Sequence, residues 1–405
     1  MKTKRFFVAM GSVWTVLCIA LLVFPPTGLS AGPEKTLTIG YIAAMSGFAA
    51  PGEAPMENGA KIAQDWINDN GGITVKGEKY RINVATEDHK SNSDGAMAAA
   101  SKLVQDQKVK FVAGGIMPFT DIAIHTVTEP AKVLHAQTYH VFTPDEFGAH
   151  TPYTFLTHNG SITGVKTMLA FIAQAHPKVK TIAVTHPDDG AIPFVKSVVT
   201  QAAKDNGMTM SGDVIGFALD TVDFTPIAKK AMARNADAIC MINGWASMVG
   251  NILKVARQSG YTKPMWMTNP HPWQDLPTAA GKENTTGFYM HTFVIGDPKN
   301  PPVAEEMGRR LKAKYGHELL YAAAIGFDAI WMITQAIEAA QSLDPTVVRD
   351  KWETMATMKS VYGSSRLGGF KTYGIKHALT HPQPIVTFDN KGLPKVMKWM
   401  DVTMP

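Results

Sequence analysis

The chain has 405 residues, 45% hydrophobic and 18% charged, with 39 basic against 34 acidic side chains. That length exceeds what one core usually organises, so two lobes are expected. No run of like charge follows the first residues, which speaks against a nucleic-acid or acidic-membrane partner.

Residues 1–31 read as a cleavable signal peptide. Lys2, Lys4 and Arg5 precede the apolar run 6–24, Pro25-Pro26 breaks any helix, and small Gly28, Ser30 and Ala31 follow. An uncleaved anchor is the alternative, because the run approaches the ~20 residues that span a bilayer. Cys18 lies inside the run behind the bulky Leu17, which argues against lipidation. Without the leader's three basic residues, 36 of the 39 remain against 34 acidic ones, near neutrality. Cys240 is then the only cysteine, so no internal disulfide can form, and its apolar surroundings over 238–242 predict a buried, inert thiol.

Next, 37–44 (LTIGYIAA) predicts a strand, and Ile62, Ala63, Trp66 and Ile67 share one face of a helix over 59–70, stopped by Asn70-Gly71-Gly72. Alternating Ile82, Val84 and Thr86 give a strand over 81–87, and Ser93 can cap a helix reaching 104. A strand at 109–113, a helix at 121–131 and a strand at 133–136 complete the pattern of a parallel sheet covered on both faces. The pattern then restarts. An extended 153–156 precedes a helix over 161–174, a strand over 181–185 and a helix over 194–206. Thr225-Pro226 opens a helix to 234, followed by a strand at 238–242, a helix at 246–259 and strands at 265–268 and 287–293. Helices over 303–315, 322–342 and 346–358 come next, then strands at 385–388 and 396–400 around the turn Asn390-Lys391-Gly392. Two βα-repeating halves predict two lobes of similar α/β architecture. After the leader, no further apolar segment of spanning length is expected.

Enzyme signatures are missing. The turn over 40–47 lacks G-x-G-x-x-G spacing, and neither a G-x-x-x-x-G-K-[ST] loop nor a G-x-S-x-G elbow occurs. The 13 histidines include His377 and His381, four apart, but Pro382 and Pro384 follow and no cysteine or H-E-x-x-H accompanies them. No metal and no cofactor is expected. A hydrolase or oxidoreductase would need a nucleophile or cofactor loop that these residues do not supply.

In open parallel sheets ligands bind at the carboxyl ends of the strands, where helix N-termini point unpaired N–H groups at the crevice. That rule selects Met45-Ser46-Gly47-Phe48, the loop 114–120 with Met117, Pro118, Phe119 and Thr120, and the loop 137–140 with Tyr139. In the second half it selects 186–190, Asn243-Gly244-Trp245 and 268–271 with Asn269.

At these loops the sequence resembles the leucine/isoleucine/valine-type periplasmic solute-binding proteins of branched-chain amino acid ABC importers. The opening LTIGYIAAMSGFAAPGEAPMENGAKIAQDWINDNGGI resembles the family's start. Thr86-Glu87-Asp88, Gly114-Gly115, Asp223-Phe224-Thr225-Pro226, Asn235-Ala236-Asp237-Ala238 and the run 323–329 (AAIGFDA) follow in order, across essentially the whole mature chain. The resemblance implies two doubly wound parallel-sheet lobes joined by three crossovers, the type I periplasmic binding fold. It places the lobes at 35–156 plus 287–360 and at 157–286 plus 361–405, with crossovers near 156–159, 285–291 and 361–374. It implies a monomer that takes a small-molecule ligand in the cleft and meets two permease subunits driven by ATPases. A ligand-sensing module of the same fold, amide- or amino-acid-responsive, is the alternative.

The departures bear on the ligand. Small hydroxyl residues usually hold an α-carboxylate where this chain has Met117, Pro118, Phe119 and Thr120, and Tyr139 replaces a small residue. The family's Tyr-Gly after the fifth strand is replaced by Gly190-Ala191-Ile192, while its aromatic after glycine is kept as Trp245. Asn269 stands where an acidic side chain would hold an α-ammonium. With Ser46 and Phe48, these residues predict an aromatic, weakly charged pocket for an aromatic acid or amide. The competing reading is that Met117, Phe119 and Tyr139 only pack beneath the loops.

Overall fold

We describe residues 35–138, 143–269, 271–318, 320–401 and 404 of a computed structural model. The expected leader and Tyr139 lie outside the described residues. The first part of the chain forms β1 (Lys35–Ala43), α1 (Ala50–Asp69), β2 (Ile73–Val75), β3 (Glu78–Asp88), α2 (Ser93–Ser101), β4 (Phe111–Gly114), α3 (Pro118–Thr128), β5 (Leu134–Gln137) and β6 (Thr154–Leu156). There follow α4 (Ser161–Ala175), β7 (Thr181–Pro187), α5 (Ile192–Asp205), β8 (Thr209–Met210), β9 (Ile215–Phe217) and α6 (Thr225–Ala233). Next come β10 (Ala238–Met241), α7 (Ala246–Gln258), β11 (Met265–Met267), α8 (Asp275–Ala280) and β12 (Phe288–His291). The last part forms α9 (Pro302–Tyr315), α10 (Leu320–Ala340), α11 (Pro345–Glu353), β13 (Met358–Ser360), β14 (Gly363–Gly368) and α12 (Phe370–Tyr373). Strands β15 (Ala378–Thr380), β16 (Gln383–Phe388) and β17 (Pro394–Met400) complete it.

Among the described residues two sheets form, in the orders β13-β14-β15-β6-β5-β4-β1-β3-β2 and β17-β16-β12-β11-β10-β7-β8, with β9 also on β7. Their centres are parallel; both margins of the first sheet and the β16-β17 margin of the second are antiparallel, whereas β8 and β9 pair parallel with β7. Helices cover both faces of each sheet, as strand periodicity requires. On β1, Ile39 and Tyr41 face the core shared with α1 and α10, whereas Ile42 faces Ala96, Leu103 and Ile124 on the opposite side. In the second sheet Ile182, Val184, Cys240 and Trp266 pack under α4 and α5, and Ala183, Ile239, Met265 and Met267 under α6 and α7. Burial pushes the Cys240 thiol far up from its ordinary value, so it is a core side chain.

Helix α1 starts nine residues before the predicted boundary at 59. Pro51 stands in the first turn, where an N–H has no partner to lose, and Pro55 forgoes a single bond, so neither proline stops the helix. This extra length brings α1 to the cleft. The hairpin around Asn390-Lys391-Gly392 forms between β16 and β17, with the Asp389 carboxylate accepting from the Lys391 and Leu393 N–H groups at 2.8 and 2.9 Å.

Two lobe boundaries differ from expectation. Strand β12 was expected in the first lobe but pairs with β11 and β16 in the second sheet. Strands β14 and β15, expected in the second lobe, extend the first sheet through β6. The chain therefore crosses between sheets at 157–160, at 292–301 and at His381-Pro382, the last two displaced from 285–291 and 361–374. Apolar periodicity encodes that a strand is buried. It carries no label for the sheet that accepts its N–H groups.

Helix α10 is long and apolar enough to cross a membrane, with a mean hydropathy of 1.4, contrary to the expectation of no later apolar segment of that length. It is a core helix packed on the first sheet, 89% of its most apolar stretch being buried. Its Asp328 accepts from Ser360 Oγ at 2.8 Å and from the Val361 N–H at 2.9 Å, and burial raises its carboxyl to about 7.

Candidate ligand cleft

The strand ends of both sheets and the start of α10 line a cavity of about 580 Å³. The first-sheet wall comprises Phe48, the N-terminal turns of α1 through Gly52 and Met56, and Ile116, Met117, Pro118 and Phe119 before and at the start of α3. The second-sheet wall comprises Asp189, Leu219, Asn243, Trp245, Asn269, His271 and Asp275, and Tyr321 and Ile325 of α10 close the floor.

Several expected residues meet here and others do not. Phe48, Met117, Pro118, Phe119, Trp245 and Asn269 all line the cavity. Ser46 does not. Its hydroxyl donates to Asp88 at 2.6 Å, and the Met45 and Lys90 N–H groups converge on the same carboxylate at 2.9 and 2.8 Å. Burial opposes ionisation of Asp88, but these donors outweigh it and hold the carboxyl below its ordinary range, so Ser46 shapes the turn. Thr120 is fully buried and returns its hydroxyl to the Met117 carbonyl at 2.9 Å. A hydroxyl at the start of a helix has a backbone carbonyl within reach, and here it uses it.

The second-sheet wall carries most of the cavity's polar side chains. The Asn269 amide nitrogen donates to the Gly244 carbonyl at 2.9 Å and lies 3.0 Å from His271 Nε2. Its Oδ1 is buried and has no partner among the described residues. Burial lowers His271 to about 4, leaving a neutral ring at pH 7 whose Nε2 accepts. Trp245 precedes α7 in extended conformation, its ring tilted on His271 at 5.8 Å. Asn243 adopts a left-handed φ of 54° in the same loop and accepts from Ser161.

Trp245 also reaches across the cleft. A Cβ added at Gly52 would lie 2.7 Å from its Cζ3, so the bare backbone of α1 is the seat of the indole. Gly52→Leu is expected to prop the walls apart and weaken any cleft ligand at least about tenfold, or 1.4 kcal/mol. Acrylamide quenching of Trp245, isolated by difference from Trp245→Phe, should rise together with the radius of gyration. Unchanged quenching would rule the contact out.

Below the floor, the sheet crossings carry histidines. His158, His291 and His381 are buried, His158 packs edge-on to His381 at 4.4 Å, and Tyr362 stacks on His381 at 3.9 Å. Asn159 ties the first crossing to the third, its Nδ2 donating to the His381 carbonyl at 2.8 Å and its Oδ1 accepting from the His381 N–H at 3.0 Å. The Tyr321 hydroxyl, on the cavity floor, lies 3.3 Å from His158 Nδ1. Among the described residues no group of three or more His, Cys, Asp or Glu is arranged to hold a metal ion.

The sequence profile of the periplasmic binding proteins matches residues 36–392, nearly the whole described chain. The chain belongs to the periplasmic binding protein family. Solved structures similar to this periplasmic binding protein include the leucine binding protein LivK of Thermotoga maritima, 20% identical, with a TM-score of 0.74 over 90% of this chain and 99% of that one. The branched-chain amino acid transporter substrate-binding protein LivJ of Streptococcus pneumoniae, in complex with isoleucine, is 20% identical, with a TM-score of 0.73 over 91% and 99%. An amino acid ABC transporter substrate-binding protein of Pseudomonas fluorescens is 16% identical, with a TM-score of 0.75 over 91% and 96%. At these identities the likeness is one of fold, and it is the type I periplasmic binding fold.

Sequence reasoning missed Gly52, Met56, Asp189, His271, Asp275, Tyr321 and Ile325 of this periplasmic binding protein. The strand-end rule covers loops, so it includes 186–190 and 268–271 as stretches without choosing Asp189 or His271. Helix faces that turn toward a cleft give the same apolar periodicity as faces that turn toward a core.

Proposed function

We propose that this protein is exported by removal of residues 1–31 and acts as a periplasmic substrate-binding protein. It captures a small amino-acid-like molecule, or an aromatic acid or amide, and hands it unaltered to an ABC importer of the branched-chain amino acid type. Two lobes follow the two sheets and work as a monomer, and the cleft loops Phe48, Met117, Pro118, Phe119, Trp245 and Asn269 hold the guest, with Tyr139 an expected addition. The importer's permease subunits receive the loaded protein. The observation that carries the reading is a cavity walled by both sheets and floored by α10, with a minority of polar side chains set among apolar ones. The sheet crossings lie beside that cavity, so closure and binding are one process. Native mass spectrometry of protein purified from its host should detect a retained small molecule, recovered with its mass unchanged. Small-angle scattering of the stripped protein should show a larger radius of gyration that shrinks when the extract is returned. No shrinkage, or chemical conversion of the released molecule, would end the proposal.

A further inference from the structure

The two walls of the cavity differ in kind, and the first-sheet wall constrains the body of the guest. Among the described residues, every one that the first-sheet loops and α1 place on the cavity is apolar, from Phe48 through Met56 to Phe119. Three of them are prolines, Pro51, Pro55 and Pro118, which bring no N–H. The N–H groups of Ala50, Gly52 and Glu53 are spent on the Gly47 and Ala49 carbonyls, so the start of α1 offers the cavity apolar surface rather than donors. The hydroxyls of Ser46 and Thr120, which would hold a carboxylate there, are bound instead to Asp88 and to the Met117 carbonyl. Phe48 is nevertheless 68% exposed and Phe119 39%, and Leu219 of the second-sheet wall is 50% exposed. Large apolar side chains left in water around one concavity mark a surface that a guest covers. The space is also broad. About 580 Å³ remains although Trp245 already sits on Gly52, well within the roughly 300–1,000 Å³ of pockets that take drug-sized ligands.

We propose that the guest carries an aromatic body and that the first-sheet wall selects it by apolar area. The ring lies against Phe48 and Phe119, among the thioethers of Met56 and Met117 and the indole of Trp245, and it covers Leu219. Aromatic rings pair offset or edge-on with other rings, and a thioether sulfur favours a ring edge. Three aromatic side chains and two methionines therefore recognise a ring better than a branched chain. A branched aliphatic body is smaller and leaves part of the same apolar surface wet. The second-sheet wall, with Asp189, Ser247, Asp275 and Thr278, receives the polar head that the ring bears. This assignment rests on the cleft being the ligand site, and it chooses the aromatic body over the aliphatic one within that reading.

Isothermal titration of the stripped full chain compares an isobutyl with a benzyl body on three head groups: isovalerate with phenylacetate, isovaleramide with phenylacetamide, and L-leucine with L-phenylalanine. At least one benzyl compound is expected to bind, at least about tenfold more tightly than its isobutyl partner, because the ring buries about three more carbons. Phe48→Ala should cut that ratio at least threefold, and Leu219→Ala should lower it as well. Both side chains stand largely in water, so circular dichroism should show both variants folded. An isobutyl compound binding as tightly as its benzyl partner, with compaction in scattering, would overturn the aromatic body and leave the cleft as the binding site. A ratio that neither variant lowers would also overturn it, because the selecting surface would then lie elsewhere. Absence of binding by all six compounds would overturn it too, whereas the retained molecule and the extract experiment alone decide the broader proposal.

Discussion

Replacing Gly326 with alanine is expected to cost about 3 kcal/mol or more of stability, and replacing it with valine to unfold the first-sheet half. Helices α1 and α10 cross with their backbones in contact. A Cβ at Gly326 would overlap the Met56 carbonyl, and a Cβ at Gly59 would overlap the Ala323 carbonyl, so each glycine receives the other helix's main chain. Backbone cannot swing aside as a flexible side chain can, and close-packed interiors pass the displacement on to their neighbours. Here the neighbours include Tyr41, whose hydroxyl would stand 3.0 Å from the new methyl group, and the cleft-lining turns of both helices. Urea denaturation followed by circular dichroism measures the loss. Gly59→Ala should cost a similar amount, and the double variant less than the two added, because both open the same crossing. An alanine variant within about 1 kcal/mol of the parent would show that the helices part easily.

Acidification is expected to destabilise the protein steeply, and the buried histidines at and beside the sheet crossings are one cause. The three crossing histidines are held neutral by burial, His381 at about 4, His291 at about 3 and His158 well below its ordinary value. Neighbouring imidazoles add repulsion at His158 and His291. A histidine lowered in the fold binds more protons when unfolded. Its contribution is therefore complete above about pH 6.5 and is lost as pH falls toward the folded value. For His381 the interval from 6.5 to about 4 corresponds to about 3 kcal/mol at most. Asp328 acts in the opposite sense: raised to about 7, it favours the fold increasingly as pH falls from there to its unfolded value. His381→Gln should remove at least ~1 kcal/mol of the acid-linked loss between pH 6.5 and 4, and Asp328→Asn should steepen it. His125 and His135, lowered by burial to about 4 and about 3 in the first half, keep part of the slope in either variant. Melting temperatures measured from pH 8 to pH 4 test both signs. A His381→Gln profile parallel to the parent's would place the titrating groups elsewhere.

Both effects arise where the chain meets itself over long separations, and they mark the limit of what a linear reading reaches. Local chemistry was legible. The strands over 37–44, 181–185 and 238–242 appear because their residues are apolar or β-branched and bounded by turn signals, and β1, β7 and β10 fall on them. The final hairpin follows from its Asp389 to Gly392 turn. Strand-end loops include Phe48, Met117, Phe119, Trp245 and Asn269, which line the cavity, because a parallel sheet opens its crevice along that edge. The same rule could not tell Ser46 or Thr120 from their neighbours, since a hydroxyl satisfied by Asp88 or by the Met117 carbonyl looks identical in sequence to one held ready for a guest.

The sequence alone determined the alternation of strand and helix, the two halves and the edge on which a cleft must open, because these rest on side-chain period and turn chemistry within a few residues. Tertiary structure alone decided that β12 joins the second sheet and that β14 and β15 join the first. It also decided that three histidines gather at the crossings and that Gly52 receives Trp245. Hydrogen-bond partners and close contacts are chosen among all strands and helices at once, and no window of the chain contains that choice.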